Sequence, residues 1–425
     1  MTTTSRNVAR ARKVSSSQPQ TAGSSLASAG EWLRSPVAPY YLVLISVASL
    51  VSIGLVMVLS ASTVQEYAAT GNSYGLFLQQ LMFMSIGVVL AYVASRLPIA
   101  WWKRLAIPGL VLAIGLQALV FSPLGVDFQG NRNWISLGGK TLQPSEFAKV
   151  AVIVFGATIL ANRRKVMDRI GLAIFPFIVP GVAIIVGLVV AGRDLGTAMI
   201  LLAIAAGMLF VAGLPLRWYA LFGALGAAGV AFLALNSDNR MQRIDAWLGD
   251  ICSNPQVEGC FQKVHAEYAL ADGGWWGVGP GASREKWSLL PEPHNDFILA
   301  IIGEELGLPG TLLVLALFSL FAYACFRIIS SSTDPFVRLA TAGVMVWIVA
   351  QAMLNVGSVI GMLPIIGVPL PFVSSGGTAL ISALIGLGLL LSMARSVPGC
   401  DAALKGRPST LRRTFAALPV RRSRS

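Results

Sequence analysis

The sequence predicts an all-α integral membrane protein with ten transmembrane helices, both termini cytoplasmic, and a large extracytoplasmic loop between spans 7 and 8. Three observations predict it. The 425 residues are 55% hydrophobic and only 12% charged, against about 25% charged in a soluble domain. Apolar runs recur at the length of roughly 20 residues that crosses a hydrocarbon core of about 30 Å. Cationic clusters fall in every second connection, which the positive-inside rule places in the cytoplasm.

The elements follow in order. Residues 1–38 are Ser-, Thr-, Ala- and Arg-rich, too polar to bury a core, and read as a disordered basic cytoplasmic tail. They do not resemble a cleaved signal peptide. Residues 39–395 form the membrane domain, with spans expected at 40–61, 77–96, 105–121, 146–161, 172–191, 195–213, 216–235, 296–327, 338–360 and 372–394. Arg96, Lys103 and Arg104, then Arg163 to Arg169, Arg217, and Arg327 with Arg338 mark the inner connections. Residues 396–425 form a second basic tail. The net charge of +13 is thus carried by segments that meet anionic lipid headgroups, and nucleic acid is not an expected partner.

The loop 236–295 and the start of the next span are chemically different. From Asp238 to Glu305 lie 11 of the 19 acidic residues and both histidines, His265 and His294. Cys252 and Cys260 also lie there, and an oxidising exterior permits a disulfide between them. Zinc is not expected, because no second ligand pair has suitable spacing.

Several constellations in this region could carry chemistry. In Arg240-Met-Gln-Arg243-Ile-Asp245-Ala-Trp247 a helix puts Arg240 and Arg243 on one face. Two guanidiniums there suit a pyrophosphate; an interfacial helix anchored by Trp247 is the structural alternative. The glycine-rich run 273–281 lacks a strand-turn-helix context, so it reads as a bend at the interface, not a nucleotide site. Glu292, His294 and Asp296 then fall within five residues before a long span. Asp296 could simply cap that helix. Glu304 and Glu305, however, lie two turns deeper in apolar sequence, where ionisable groups are costly and usually functional. Asp296 and Glu304 would stand about 12 Å apart along a straight helix, too far for most matched glycosidase carboxylates. Glu146 and Lys149, at the start of span 4, are spaced to pair. The run from Pro364 to Gly377 has no charge, three prolines and three glycines, and reads as a rigid hydrogen-bonding loop.

Taken together, Pro291-Glu292-x-His294-x-Asp296-Phe297, Gly303-Glu304-Glu305-x-Gly307, Gln143-Pro144-Ser145-Glu146-x-x-Lys149, Asp194-Leu195-Gly196-Thr197 and the Pro364–Gly377 loop resemble the SEDS family of peptidoglycan polymerases. The resemblance spans nearly all of 40–395 and is nearer the FtsW division branch than the RodA elongation branch. It implies a glycosyltransferase that polymerises lipid II at the outer face of the bacterial plasma membrane during cell division. The donor would be a glycan linked to polyprenyl (undecaprenyl) pyrophosphate. The family's essential aspartate maps onto Asp296. Class B penicillin-binding protein and other division proteins are the implied partners, and the division septum the implied location.

The chain departs from the family's pattern at Arg193, at Ile366, across Ser374–Ala379, at Phe261, and at His265-Ala266. None touches the Asp296 motif. One positioned base is what such a transfer needs, and a pyrophosphate leaving group needs positive charge, not a proton donor. Asp296 as base, with Arg240 and Arg243 as pyrophosphate holders, meets both demands. Glu292, His294, Lys149, Glu146, Glu304 and Glu305 are the further candidates for substrate contact. A divalent cation, magnesium or manganese, could share the electrostatic task with Glu292 or Asp296 among its ligands; no organic cofactor is expected. The rival readings are a lipid II flippase and a noncatalytic division scaffold.

Overall fold

Apolar runs of this length can satisfy their backbone in a bilayer only as helices, and helices dominate the structure. The computed structural model describes residues 32–128, 131–163, 175–235, 238–248, 258–287 and 289–406. In chain order the helices are α1 (Ala38–Thr70), α2 (Gly75–Arg96), α3 (Ile99–Leu119), α4 (Pro144–Asn162), α5 (Phe175–Ala191), α6 (Leu195–Ala212), α7 (Leu216–Leu235), α8 (Asp238–Leu248), α9 (Glu258–Gly273), α10 (Ile298–Ser331), α11 (Pro335–Val359), α12 (Gly377–Arg395) and α13 (Cys400–Gly406). Among the described residues, eight helices are long and apolar enough to cross a membrane: α1–α4, α6 and α10–α12. Helices α5 and α7 stand where spans 5 and 7 are expected.

Helices α4, α11 and α12 are the most enclosed, and α2 and α3 the least. On α2, exposed Leu78, Met82, Ile86, Val89 and Val93 fall at steps of three and four, one stripe of a helix. An outward apolar stripe fits lipid as the solvent.

Several boundaries move for identifiable reasons. Helix α1 runs nine residues past its expected end at 61, to a left-handed cap at Gly71. Helix α12 starts at Gly377, not 372, because 372–376 belongs to the preceding loop. Helix α5 contains a π-helical turn, Ile178–Ala183, around Pro180 and Gly181, where proline cannot donate to the helix ladder. Helix α10 is two helices joined at Gly307, whose φ of 66° and ψ of −162° are not helical. Residues 309–331 alone, 23 residues or about 35 Å, are long enough to span.

Two features were not anticipated. A three-stranded antiparallel sheet, β1 (Gly125–Phe128), β2 (Asn131–Leu137) and β3 (Lys140–Leu142), fills the α3–α4 connection. Its β2–β3 turn is Gly138-Gly139, both with positive φ, between Leu137 and Lys140. That is the two-residue hairpin signal. Secondly, the C-terminal tail is not wholly unstructured. Val397 and Cys400 are buried, and Arg395 pairs with Asp401 of α13 at 3.1 Å. The first tail, to residue 31, and residues 407–425 lie outside the described residues.

The connections sort into two ends. At one, Arg132 N donates to Gly192 O, Gln143 Nε2 to Asp194 Oδ2, Trp247 Nε1 to Gly361 O and Ser375 N to His294 O. At the other, Lys103 pairs with Asp334, Ser392 bonds Leu97 O and Arg395 reaches Ser95 O. The acidic motifs thus share one end and the basic connections the other.

Candidate active site

The centre of the acidic end is built by a strained turn. Glu292 sits between Pro291 and Pro293 with a φ of 49°. A residue before proline is kept out of the right-handed helical region, so α10 cannot begin there. The chain instead turns, with Asn295 N donating to Glu292 O at 3.0 Å, and enters the helix at Phe297. Phe297 is the N-cap, and among the described residues no side-chain capping hydrogen bond closes the start of α10. The capping role open to Asp296 in the sequence is therefore not the one it has. Its Oδ1 is buried without a hydrogen-bond partner among the described residues.

That environment sets its chemistry. Burial, with Glu292 repelling and Arg243 partly offsetting, pushes the Asp296 carboxyl up to about 7. A carboxylate there is half ready to take a proton at neutral pH, as a general base should be. His294 Nε2 lies 3.6 Å from Glu292 Oε2. Burial pushes the His294 pKa down, favouring the neutral ring.

Arg243 approaches from α8, which has the helical form needed to bring Arg240 and Arg243 onto one face. Arg243 Nη1 donates to Ile365 O at 3.4 Å, while Trp247 Nε1 donates to Gly361 O at 3.0 Å and Lys263 Nζ donates to the Trp247 backbone carbonyl. The helix is thereby pinned on residues 361–365. Gly367, with φ of 75°, lies between the two charged groups: a Cβ there would stand 3.4 Å from Asp296 Oδ2 and 3.9 Å from Arg243 Nη1. Arg240 lies on the same helix, its side chain outside the described residues.

The other candidates are placed differently. Glu146 and Lys149 form the expected pair, at 2.7 Å and almost fully buried. Lys149 also donates to Gln351 Oε1, Ser382 donates to Glu146, and Gln351 Nε2 holds Pro369 O. This pair therefore supports the 364–377 loop from beneath. Asp194 caps α6 through Thr197 N and receives Gln143; burial raises its pKa against the Thr197 hydrogen bonds.

Glu304 and Glu305 turn away from Asp296. Glu304 accepts from Ser283 Oγ at 2.5 Å and Arg284 N at 2.6 Å. Glu305 accepts from Ser60 Oγ at 2.6 Å and Lys286 Nζ at 3.1 Å. They fasten the 274–290 segment to α1 and α10, so their burial has a structural explanation. The glycine-rich bend packs its backbone on the same place: Val278 N donates to Glu304 O and Gly279 N to Glu305 O. Trp275 and Trp276 project outward. Cys260 is buried and disulfide-bonded. Cys252 lies outside the described residues, and Cys325 and Cys400 are free.

The sequence reading missed Gln351 and Asn355, one turn apart on α11. Asn355 Nδ2 donates to both Asp296 O and Val368 O, each at 2.8 Å. The signal was there: two amides in an apolar span, where polar groups are expensive. Among the described residues no group of three or more His, Cys, Asp or Glu side chains is disposed to hold a metal.

With this geometry in view, the chain compares clearly with known proteins. The family model described as "Cell cycle protein", covering FtsW, RodA and SpoVE, matches residues 40–398. The chain belongs to this family. Within the FtsW/RodA/SpoVE family, it is 40% identical over 377 residues to a Mycobacterium tuberculosis protein named "Probable peptidoglycan glycosyltransferase FtsW", covering 88% of this chain and 71% of the relative. It is 34% identical to the stage V sporulation protein E of Bacillus subtilis, covering 84% and 97%. A solved peptidoglycan synthase complex, described as coordinating polymerization and crosslinking, has a chain that superposes with a TM-score of 0.68 at 25% identity, covering 84% and 98%. The rod shape determining protein RodA of Thermus thermophilus shares the fold, with a TM-score of 0.61 at 24% identity and coverage of 84% and 96%.

Proposed function

We infer that this multi-pass membrane protein is a peptidoglycan glycosyltransferase that polymerises lipid II, with Asp296 as its general base. The observation that carries the base assignment is the buried Asp296 Oδ1, which has no hydrogen-bond partner among the described residues and lies near the Arg243 cation and the bare backbone of Gly367. In the reaction, an acceptor sugar hydroxyl attacks the anomeric carbon of the pyrophosphate-linked glycan. A new C–O bond forms as the hydroxyl proton passes to Asp296. The bond to pyrophosphate breaks, and the leaving oxygen takes the electron pair. Arg243, close enough to Asp296 to act on its charge, would supply the positive charge that the leaving group needs, with Arg240 on the same helix. One direct displacement inverts the anomeric centre.

A divalent cation fits this donor set only in the mode that uses one or two carboxylates plus substrate phosphates. Glu292 and Asp296 would hold it, and it would add positive charge at the pyrophosphate. The positive-inside rule puts the acidic end outside the plasma membrane, where the substrate is presented. A class B penicillin-binding transpeptidase and other division proteins are the proposed partners, and the septum the proposed site of action.

Transport is less well supported, because the charged groups gather at one end of the bundle, and alternating access uses a midplane site. Asp296→Asn tests the reading. Purified variant incubated with lipid II should make no glycan while remaining folded in detergent; near-normal polymer would refute the role of Asp296. Lipid movement across vesicles without polymer, by the unmodified protein, would favour the flippase instead. Activity only through a partner's own polymerase would favour the scaffold.

A further inference from the structure

The backbone that carries Asp296 is gripped by a different part of the chain at three successive carbonyls. Ser375 N donates to His294 O at 2.9 Å. Ser374 Oγ donates to Asn295 O at 2.6 Å. Asn355 Nδ2 donates to Asp296 O at 2.8 Å. The donors belong to the 364–377 loop and α11, far from Asp296 in sequence.

The gripping residues are themselves fixed. Ser374 Oγ accepts from Leu370 N at 2.8 Å, and its carbonyl receives Gln80 Nε2 of α2 at 3.2 Å. Asn355 spends its second amide hydrogen on Val368 O. Its Oδ1 is buried with no partner among the described residues, an arrangement that costs stability. An aliphatic side chain would avoid that cost. The amide is retained at a place where what it does is hold one backbone against another.

We propose that Asn355 and Ser374 are positioning residues for Asp296. They hold the turn 294–296 against the 364–377 loop, so that the carboxylate meets the acceptor hydroxyl at a fixed distance and angle. They touch no reacting atom. Misplacing a catalytic group by about 1 Å costs on the order of 10²-fold in rate, and α10 supplies no cap that would fix the turn otherwise. The inference rests on Asp296 acting as the base.

The test compares Asn355→Ala, Ser374→Ala and Ser374→Thr, with Asp296→Asn as the reference, in lipid II polymerisation by the full-length protein. Both alanine variants should lower kcat about tenfold or more with KM nearly unchanged. Ser374→Thr keeps the hydroxyl and should recover most of the loss. Thermal unfolding in detergent shows whether each variant is folded. If Asn355→Ala does not fold, the Ser374 pair decides alone. Unchanged kcat in folded Ser374→Ala, or no recovery in folded Ser374→Thr, would overturn the proposal. Activity in Asp296→Asn would instead remove the reading beneath it.

Discussion

A side chain at Gly367 would begin 3.4 Å from Oδ2 of Asp296. The same added Cβ would stand 3.9 Å from Nη1 of Arg243, in contact range of both groups. Gly367→Ala places a methyl group there and also forces alanine to a φ of 75°, which costs roughly 1–2 kcal/mol. Polymerisation should fall much further than stability does. Steady-state kinetics beside a melting curve separates the two effects, and a fully active alanine variant would show that substrate does not pass over this position.

The raised Asp296 carboxyl gives a pH profile. Activity should plateau above about 7 and fall roughly tenfold per pH unit below it, as the base becomes protonated. Stability runs the other way. The folded group holds its proton between 3.8 and about 7 while the unfolded one has lost it, so its contribution is full below 3.8 and lost as pH rises through 7. Asp296→Asn should therefore be inactive yet more resistant to denaturation than the parent at pH 8. Denaturant titrations at pH 5 and pH 8 check the sign.

Arg243 should act on the pyrophosphate. Arg243→Ala is expected to slow polymerisation by about 10²-fold, in line with loss of one preorganised donor. Arg243→Lys should recover only part, because a lysine cannot reproduce the guanidinium fork. Inhibition by free pyrophosphate measured on the three proteins reports the same contact without turnover.

Lys286 and Glu305 form a buried pair at 3.1 Å, both sides nearly inaccessible. Removing one partner strands the other, which typically costs about 3–5 kcal/mol. Lys286→Met should therefore lower the melting temperature sharply, and Lys286→Met combined with Glu305→Leu should restore much of it. Additive losses in the double variant would show that the pair is not what holds the 274–290 segment.

The parts of this molecule legible in its sequence were those written locally. Span positions followed from apolar runs, and the pairing of Glu146 with Lys149 from a three-residue spacing. Asp296 was singled out by its motif, although its freedom from capping could not be read: it depends on Glu292 being held at positive φ between two prolines. Glu304 and Glu305 show the opposite case. Their place in apolar sequence marked them as site residues, but their partners, Ser283, Arg284, Lys286 and Ser60, lie some 20 and 245 positions away. No local rule reaches so far. The grip of Asn355 and Ser374 on residues 294–296 was hidden for the same reason, since a carbonyl looks alike at every position in a sequence.

The break at Gly307 has a consequence for how the protein is made. The hydropathy of α10 presents one long segment to the insertion machinery, but residues 309–331 are sufficient by themselves to be recognised and threaded. Residues 298–302 are apolar because protein covers them, so they take no necessary part in that event. Biogenesis and site assembly are thus encoded in adjacent stretches of the same helix. A charge introduced at Ile301 should leave the protein correctly inserted and its acidic end unbuilt.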